Sequence, residues 1–417
     1  MKKQNIITKT TIYSVILLLP VAIFATDGYQ LIGVGAYQKS LGGAVTANPG
    51  SAMTSVSNPA GITRIGPRVD FSMEAFMPKR DVDFSAMGGE KNNSNINIYG
   101  VPAIGWAAPV SEGSNLFFGG GMYGTSGMGV DYTETEMMPG IKWDGYSNLS
   151  FWQMAPVLAA KVNDKLSVGG ALNIDYQSVS FDMRVKQGDK IIEKFDLSRT
   201  NSSFGMGIGV GLLYDLNDKV TLGFNYKSKQ NFADLKYQLA KGDITHKGAE
   251  LPAGEYLLDL DFPQQAAVGV SFKATPKLKL SADVKWIDWS STMNKLSVRG
   301  PNGIEVPMDP GWEDQKIYAL GASYAVNNKL NLRAGYNYAS APFNGKSTSH
   351  NFLTPAVVES HYTVGADYRA NKHWDLGFHY MYAPKKTSTV VFDDKVAPGS
   401  STSLGVNSFG INVGYRF

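Results

Sequence analysis

The sequence contains no cysteine, so no disulfide can hold the folded chain together, and packing and hydrogen bonds must do so. An excess of one charge sign is also missing, because 39 basic and 36 acidic residues leave a net charge of +3. Without a long basic run, nucleic acid is not expected as a partner. Beyond Ala25 no run reaches the roughly 18 apolar residues of a spanning helix, which excludes an ordinary α-helical membrane protein.

The first residues have the features of an export signal. Lys2, Lys3 and Lys9 supply positive charge, and an apolar run follows at residues 12–25. About 14 apolar residues are too few to cross a bilayer as a helix, so a signal peptide is favoured over a membrane anchor. We predict a signal peptide at residues 1–25, with cleavage after Ala25.

The remaining chain alternates apolar with small or polar residues from about residue 98 onward, as in residues 220–227. A period of two is the signature of a β-strand. The apolar face is almost free of charge for about ten residues at a time and has aromatics near its ends, as at Tyr368 and Trp374. This pattern favours a transmembrane β-barrel with a lipid-facing belt and a polar lumen; a soluble all-β fold is the alternative.

Turns supply the strand count. Six short polar links of turn-forming residues occur, at 111–114, 162–165, 216–219, 274–277, 326–329 and 370–373. Longer polar segments separate them, at 79–97, 125–148, 183–200, 234–256, 291–313, 341–357 and 384–402. Six turns join twelve strands, and strands near 67–78 and 403–417 bring the total to fourteen. The predicted barrel, residues 67–417, is antiparallel and closed, because lipid cannot satisfy a free strand edge.

Residues 26–66 do not show the alternation of the barrel strands. They are rich in glycine, alanine, serine and asparagine. One interpretation is a flexible tail, and the other is a plug inside the lumen. Glycines on the predicted inward face, Gly205, Gly207, Gly209 and Gly211, would leave space for a plug, and a barrel of this size is otherwise an aqueous channel.

Several short motifs, in this order and spacing, resemble the FadL family of outer-membrane transporters. They are Gly28-Tyr29-Gln30-Leu31, Ser57-Asn58-Pro59-Ala60, Leu258-Asp259-Leu260-Asp261-Phe262-Pro263, Trp286-Ile287-Asp288-Trp289-Ser290, Gly311-Trp312-Glu313-Asp314 and Ser340-Ala341-Pro342. The resemblance covers nearly the whole mature chain. It implies an all-β, 14-stranded antiparallel transmembrane β-barrel with an N-terminal hatch inside the lumen.

The resemblance also assigns roles to particular residues. Residues 26–66 become the hatch (plug), with Asn58, Pro59 and Ala60 as its signature. Pro59 fixes φ and favours an extended Asn58, whose side chain is suited to bonding nearby backbone; the alternative is a simple turn between plug and barrel. The family's kink in the third strand, which opens a lateral gap in the wall, falls at Gly127, with Gly124 and Gly129 beside it.

Candidate ligand-binding residues come from the loops and from the lumen face. Large apolar side chains on polar loops, which either bind ligand or pack loop against loop, are Phe195, Leu197, Leu235 and Tyr237. Cations on the lumen face, which either bind a carboxylate or belong to a structural network, are Lys227, Lys285 and Arg333. Ile287 and Trp289 would supply apolar wall. The family's carboxylate-binding arginine is replaced here by Ser178, which leaves the charge of the ligand open.

The resemblance implies passive uptake of long-chain fatty acids or similar hydrophobic molecules across a bacterial outer membrane, with hatch rearrangement and lateral exit near the third-strand kink. A general diffusion porin is the alternative, and a barrel enzyme or adhesin acting through its loops is a third hypothesis. No catalytic motif or metal-ligand spacing occurs, so neither an enzyme nor a cofactor is predicted. Outer-membrane lipid and lipopolysaccharide would surround the barrel. The terminal Phe417 resembles the signal that the barrel-assembly machinery recognises.

Overall fold

The computed structural model describes residues 27–246 and 248–417, so the predicted signal peptide lies outside the described residues. Fourteen antiparallel strands pair in chain order and close into a barrel, as predicted. The strands are β1 Arg68–Asp83, β2 Tyr99–Pro109, β3 Leu116–Met138, β4 Ile141–Met154 continued by Val157–Lys161, β5 Leu166–Gln187, β6 Lys190–Asp215, β7 Val220–Lys227, β8 Gln265–Lys273, β9 Leu278–Ile287, β10 Gln315–Ala325, β11 Leu330–Ala339, β12 Ser360–Arg369, β13 Trp374–Thr389 and β14 Ser401–Arg416.

Closure is made by β1 and β14, which pair over their whole lengths from Arg68 opposite Arg416 to Asp83 opposite Ser401. The paired strands leave no free edge at the seam, as a lipid environment requires. Phe417 follows the last strand with its side chain 73% exposed, and its amide donates to the carbonyl of Pro67 at 3.2 Å.

All six predicted turns join successive strands at one end of the barrel, which we call the turn end. The prediction of long loops is wrong for two of the segments. Residues 125–148 and 183–200 belong almost entirely to the β3–β4 and β5–β6 hairpins, which turn tightly at Gly140 (φ 78°) and Gly188 (φ 58°). Apolar and polar side chains do not alternate in these hairpins because the hairpins project past the apolar belt. The backbones of their strands nevertheless remain paired.

The opposite end, the loop end, carries the remaining long connections and the small elements. Its short strands are Lys91–Asn93, Asn231–Phe232, Leu235–Leu239, Ile244–His246, Ala249–Glu250, Gly254–Leu258, Ser297–Arg299 and Glu305–Pro307. Helical turns lie at Ser85–Met87, Ser290–Met293, Pro301–Gly303 and Thr348–Asn351. Among residues 27–246 and 248–417, no helix has the length and apolar character needed to cross a membrane.

The two faces of the strands follow the predicted parity. Outward side chains such as Met206, Leu320 and Leu376 are exposed, whereas the inward Lys227 and Arg333 are buried. An apolar outer surface around a polar interior is the inverse of a soluble fold and matches a barrel in lipid.

The N-terminal segment, residues 27–66, lies inside the barrel. It contains the helices Gly35–Ser40 and Thr54–Ser57 and the 3-10 helix Pro59–Arg64, and most of its residues are buried. Glycines of the wall make room for it, because a Cβ atom at Gly335 would stand 2.2 Å from the amide nitrogen of Gly42 and one at Gly211 would stand 2.1 Å from Asn58 Oδ1. The boundaries of the predicted hatch, 26–66, remain a prediction.

Candidate functional site

The third strand is irregular where the kink was predicted. Between the pairs Gly124–Trp152 and Ser126–Phe151, β3 holds one extra residue, Thr125, so the strand has a β-bulge there. Glycine neighbours suit a bulge because they tolerate a bent backbone, and Gly127 directly follows it.

Strand β2 separates from β3 at the same level. The last pair between them is Ala103 opposite Tyr123, so residues 99–102 of β2 have no partner on β3. Towards the loop end, contact resumes where the Asn95 amide donates to the carbonyl of Asp131 at 2.8 Å. Pro102 reinforces the separation because it has no N–H to donate. We call this interruption of the wall the gap.

The N-terminal segment supplies the partner that β3 lacks at the gap. The Leu31 amide donates to the Thr125 carbonyl at 3.1 Å, and the Gly127 amide donates to the Tyr29 carbonyl at 3.1 Å. Gln30 stands opposite Ser126 as an antiparallel bridge. Unpaired backbone groups within a membrane cost several kcal/mol each, so residues 29–31 substitute for the missing stretch of β2.

A small cavity of about 130 Å³ lies at the gap and is called the gap cavity. Val101 and Gly124 line it from the two separated strands, and Met128 and Trp152 add apolar surface. From inside, Gln30 of the N-terminal segment closes it. The cavity therefore lies between the lumen and the outer surface of the wall.

Tyr29 is the centre of an aromatic cluster. Its ring stacks on Phe151 with centroids 5.2 Å apart and meets Trp289 edge-on at 4.5 Å. Phe262 and Trp312 complete the cluster at 5.9 and 5.5 Å. Burial, with a further contribution from the Asp261 carboxylate, raises the pKa of Tyr29, so the phenol remains neutral.

The predicted wall residues Ile287 and Trp289 are both fully buried in this region. Trp289 Nε1 donates to Gln315 Oε1 at 2.8 Å, which fixes the indole against the N-terminal segment. Gly28 is required beneath it, because a Cβ atom there would lie 2.6 Å from the Trp289 ring. Tyr29, Phe262 and Trp312 belong to the sequence motifs that carry the family resemblance. No pattern in the sequence indicates that these three side chains contact one another.

A larger apolar cavity of about 570 Å³ lies at the loop end and is called the loop cavity. Phe195, one of the ligand-binding candidates from the sequence, lines it together with Trp143, Phe181 and Met293. Leu149 lines both this cavity and the gap cavity, so one side chain bounds the two spaces. An apolar space of this size is typical of small-molecule sites.

The other apolar candidates, Leu197, Leu235 and Tyr237, belong to the hydrophobic core beside the loop cavity and do not line it. Tyr237 donates its hydroxyl to the Val179 carbonyl at 3.0 Å. Burial raises the pKa of this phenol. These three side chains hold the walls of the site together.

Two of the three candidate cations, Lys227 and Lys285, lie close together, and Arg333 lies apart from them. Lys227 donates to Gln153 Oε1 at 2.9 Å and lies 5.4 Å from the Phe262 ring centroid. Lys285 forms an ion pair with Asp27 of the N-terminal segment. Both line a polar cavity of about 90 Å³ beneath residues 30–34.

Arg333 lies elsewhere, on β11, against the N-terminal segment. It pairs with Asp367, and its guanidinium stands 4.4 Å from the ring centroid of Tyr37. Burial is the main cause that raises the pKa of Tyr37 to about 12, so this ring is a neutral partner of the cation. Arg333 thus serves the packing of the segment against the wall.

Asn58 ties the N-terminal segment together and to the wall. Its Nδ2 donates to the Thr46 carbonyl at 2.7 Å and to the Leu212 carbonyl of β6 at 3.1 Å. Its Oδ1 accepts from the Ala60 amide at 3.1 Å and caps the 3-10 helix that starts at Pro59. In the described part of the chain no group of three or more His, Asp or Glu side chains is placed to hold a metal ion.

Residues 29–417 match the model of the family described as outer membrane protein transport protein (OMPP1/FadL/TodX). The chain belongs to this family. It is a bacterial outer-membrane β-barrel, and the family consists of transport proteins, not enzymes.

Relatives of this FadL-family chain are also outer-membrane proteins. Outer membrane protein P1 of Haemophilus influenzae is 25% identical over 361 residues, 76% of this chain and 75% of the relative. A 47 kDa outer membrane protein of Pasteurella multocida is 27% identical over 231 residues, so the match spans 51% of each protein.

Solved structures share the fold. The toluene transporter TodX of Pseudomonas putida has a TM-score of 0.76 at 20% identity, covering 93% of this chain and 99% of its own. A FadL homologue of Pseudomonas aeruginosa has a TM-score of 0.70 at 17% identity, covering 94% and 100%. The fold of this FadL-family chain is therefore shared with both.

We expect Asn58→Ala to loosen the N-terminal segment of this FadL-family barrel. The change removes all three hydrogen bonds and leaves the buried Thr46 carbonyl without this donor, which costs about 1–3 kcal/mol. Faster protease cleavage within residues 27–66 of the purified protein would show it. Ser57→Ala is the matched control, because it removes two longer bonds that both lie within the segment: Ser57 Oγ donates to the Thr54 carbonyl at 3.3 Å and accepts from Gln38 Nε2 at 3.2 Å. Equal protease resistance of both variants and the wild type would contradict this role.

Proposed function

We propose that the protein carries long-chain fatty acids or similar hydrophobic molecules passively across the outer membrane. The loop cavity offers about 570 Å³ of largely apolar space near the outside, where a ligand would leave water. Leu149 is common to this cavity and the gap cavity, which supports a short path between them.

The observation that carries the proposal is the pairing of residues 29–31 with the exposed edge of β3. The same residues close the gap cavity from inside and pack, through Tyr29, against the aromatic cluster below the loops. A ligand that enters the aromatic cluster would displace Tyr29. Withdrawal of this strand-like stretch would then open the gap.

The position of the gap supports lateral exit of the ligand. A molecule in the gap cavity stands between β2 and β3, so its shortest way into an apolar medium is sideways into lipid. Exit towards the periplasm would instead require passage through the buried polar contacts between the N-terminal segment and the wall, such as the Lys39–Glu74 ion pair at 2.9 Å. An apolar molecule gains nothing from that route.

We expect Gly127→Val to slow uptake while the barrel still assembles. A Cβ atom at this position would stand 3.2 Å from the Leu149 carbonyl, and Gly127 lines the gap cavity. If overpacking costs of about 1–3 kcal/mol add to the barrier for passage, uptake of a labelled fatty acid by whole cells should be about 5- to 150-fold slower. Gly170→Val is the control, because a Cβ atom there meets only the Gly209 carbonyl at 3.9 Å. Wild-type uptake by assembled Gly127→Val would argue against the gap as the route.

A general diffusion porin is the second candidate, favoured by a polar cavity of about 860 Å³ at the turn end. Arg64, Asp215 and Lys273 line it. The two functions differ in ion flow, because a barrel filled by residues 27–66 passes little steady current. Open-channel conductance of the intact protein in planar bilayers would favour the porin, and its absence with fatty-acid uptake would favour the transporter.

A further inference from the structure

Arg80 is a buried cation outside the residues considered so far. It lies near the loop end of β1 with its side chain on the lumen face, and it is 5% exposed. Three other buried cations, Lys39, Arg68 and Arg333, each form an ion pair with a carboxylate. A buried charge is costly unless it is paired, so an arginine without such a partner requires an explanation.

Among the described residues, the guanidinium of Arg80 has only neutral partners. Nη1 donates to the Tyr99 hydroxyl at 3.3 Å, Nη2 donates to the Ile96 carbonyl, and the Tyr99 ring centroid lies 5.5 Å away. Nε is buried and has no hydrogen-bond partner among the described residues. Within 27–246 and 248–417, no carboxylate oxygen lies within 4.0 Å of the guanidinium. The neighbouring Asp81 is already paired with two lysines.

Arg80 lies at the gap. Arg80 and Tyr99 both line the gap cavity, whereas Val101, Met128 and Trp152 supply its apolar surface. Strand register places Phe76 opposite Tyr99, so Arg80 lies further towards the loop end than the unpaired stretch of β2. The cavity thus has an apolar body and a cation at its loop end, the polarity of an amphiphile with a negative head.

We propose that Arg80 forms an anion subsite at the loop end of the gap cavity and binds the negatively charged head, a carboxylate, of an amphiphilic ligand whose apolar chain lies in the gap. This inference rests on the proposed transport function and adds the chemistry of the head group. A carboxylate supplies the charged acceptor that Nε lacks, and hydrogen bonds between two charged groups are about twice as strong as neutral ones. The head is held while the chain enters lipid.

The test compares two ligands of equal chain length on the purified full-length protein. Palmitate carries the carboxylate, and cetyl alcohol is its neutral counterpart. The wild type should bind palmitate about tenfold more tightly, the size expected for one charge-assisted hydrogen bond. Arg80→Gln should remove this preference and leave binding of the alcohol unchanged, whereas Arg80→Lys, which keeps the charge, should retain part of it.

Lys79→Gln is the matched control, because it removes a positive charge from the adjacent, exposed position. A preference that survives Arg80→Gln would overturn the subsite and assign the head to another cation, such as Lys227. Equal binding of both ligands by the wild type would also overturn it, and this result does not depend on whether a variant assembles. Failure of the wild type to bind or carry either ligand would instead overturn the proposed transport function.

Discussion

A disulfide between Gln30→Cys and Ser126→Cys is expected to reduce uptake strongly. The two residues face each other in an antiparallel bridge, so their Cα atoms stand at the separation that disulfides span. The chain has no native cysteine, so the introduced pair has no competing thiol. A cross-link worth 2–4 kcal/mol would lower the population with residues 29–31 withdrawn by roughly 30-fold or more. Uptake of labelled fatty acid should fall by that factor under oxidising conditions.

Reduction should restore uptake in the same cells, which separates locking from misfolding. The control pair is Ala322→Cys with Ala334→Cys, whose residues are paired between β10 and β11 and lie in the wall alone. Its disulfide should leave uptake unchanged. Full uptake by the oxidised Gln30–Ser126 pair would mean that transport proceeds without movement of residues 29–31.

Deletion of residues 27–66, with the signal sequence retained, is expected to give a leaky barrel. The segment occupies the lumen, and wall glycines such as Gly211 and Gly335 would then face open space. The wall should survive, because its closure by β1 and β14 involves no residue of the segment. Steady conductance in planar bilayers should rise from near zero to that of an open pore, and cells should become sensitive to large antibiotics.

Removal of part of a loop is the control that tests whether any deletion would raise the conductance. Residues 390–400 join β13 to β14 at the loop end, so their shortening should leave the conductance low. An assembled deletion of residues 27–66 that still passes no current would show that another part of the chain closes the lumen.

Much of the barrel could be predicted from the sequence because lipid imposes a simple rule on each strand. Side chains must alternate between an apolar and a polar face, so the alternation alone predicts that Lys227, Arg333 and Trp289 lie inside, where all three are buried. Beyond the apolar belt lipid no longer requires this alternation. The β3–β4 and β5–β6 hairpins extend into that region, and for this reason the sequence predicts loops there. Pairing there depends on the partner strand, which no local pattern encodes.

The candidate site was less predictable because it is assembled from distant segments. The family resemblance implied an irregularity of β3 near Gly127, but the pairing of residues 29–31 with its edge joins positions about 95 apart. Tyr29, Phe151 and Trp312 likewise meet only through tertiary packing. Arg80 gave no signal at all, because an isolated arginine in a strand is ordinary until its lack of an acidic partner is known.

Photolabelling during transport tests the central claim, lateral exit through the gap, most directly. A fatty acid with a photoreactive group at the end of its chain would be trapped by illumination while wild-type cells take it up, and the labelled peptides identified by mass spectrometry. We predict label on the two sides of the gap, at Val101, Met128 and Trp152. Label concentrated instead at the turn-end cavity, at Arg64, Asp215 and Lys273, would contradict the account, because the ligand would then have crossed the lumen to the periplasm.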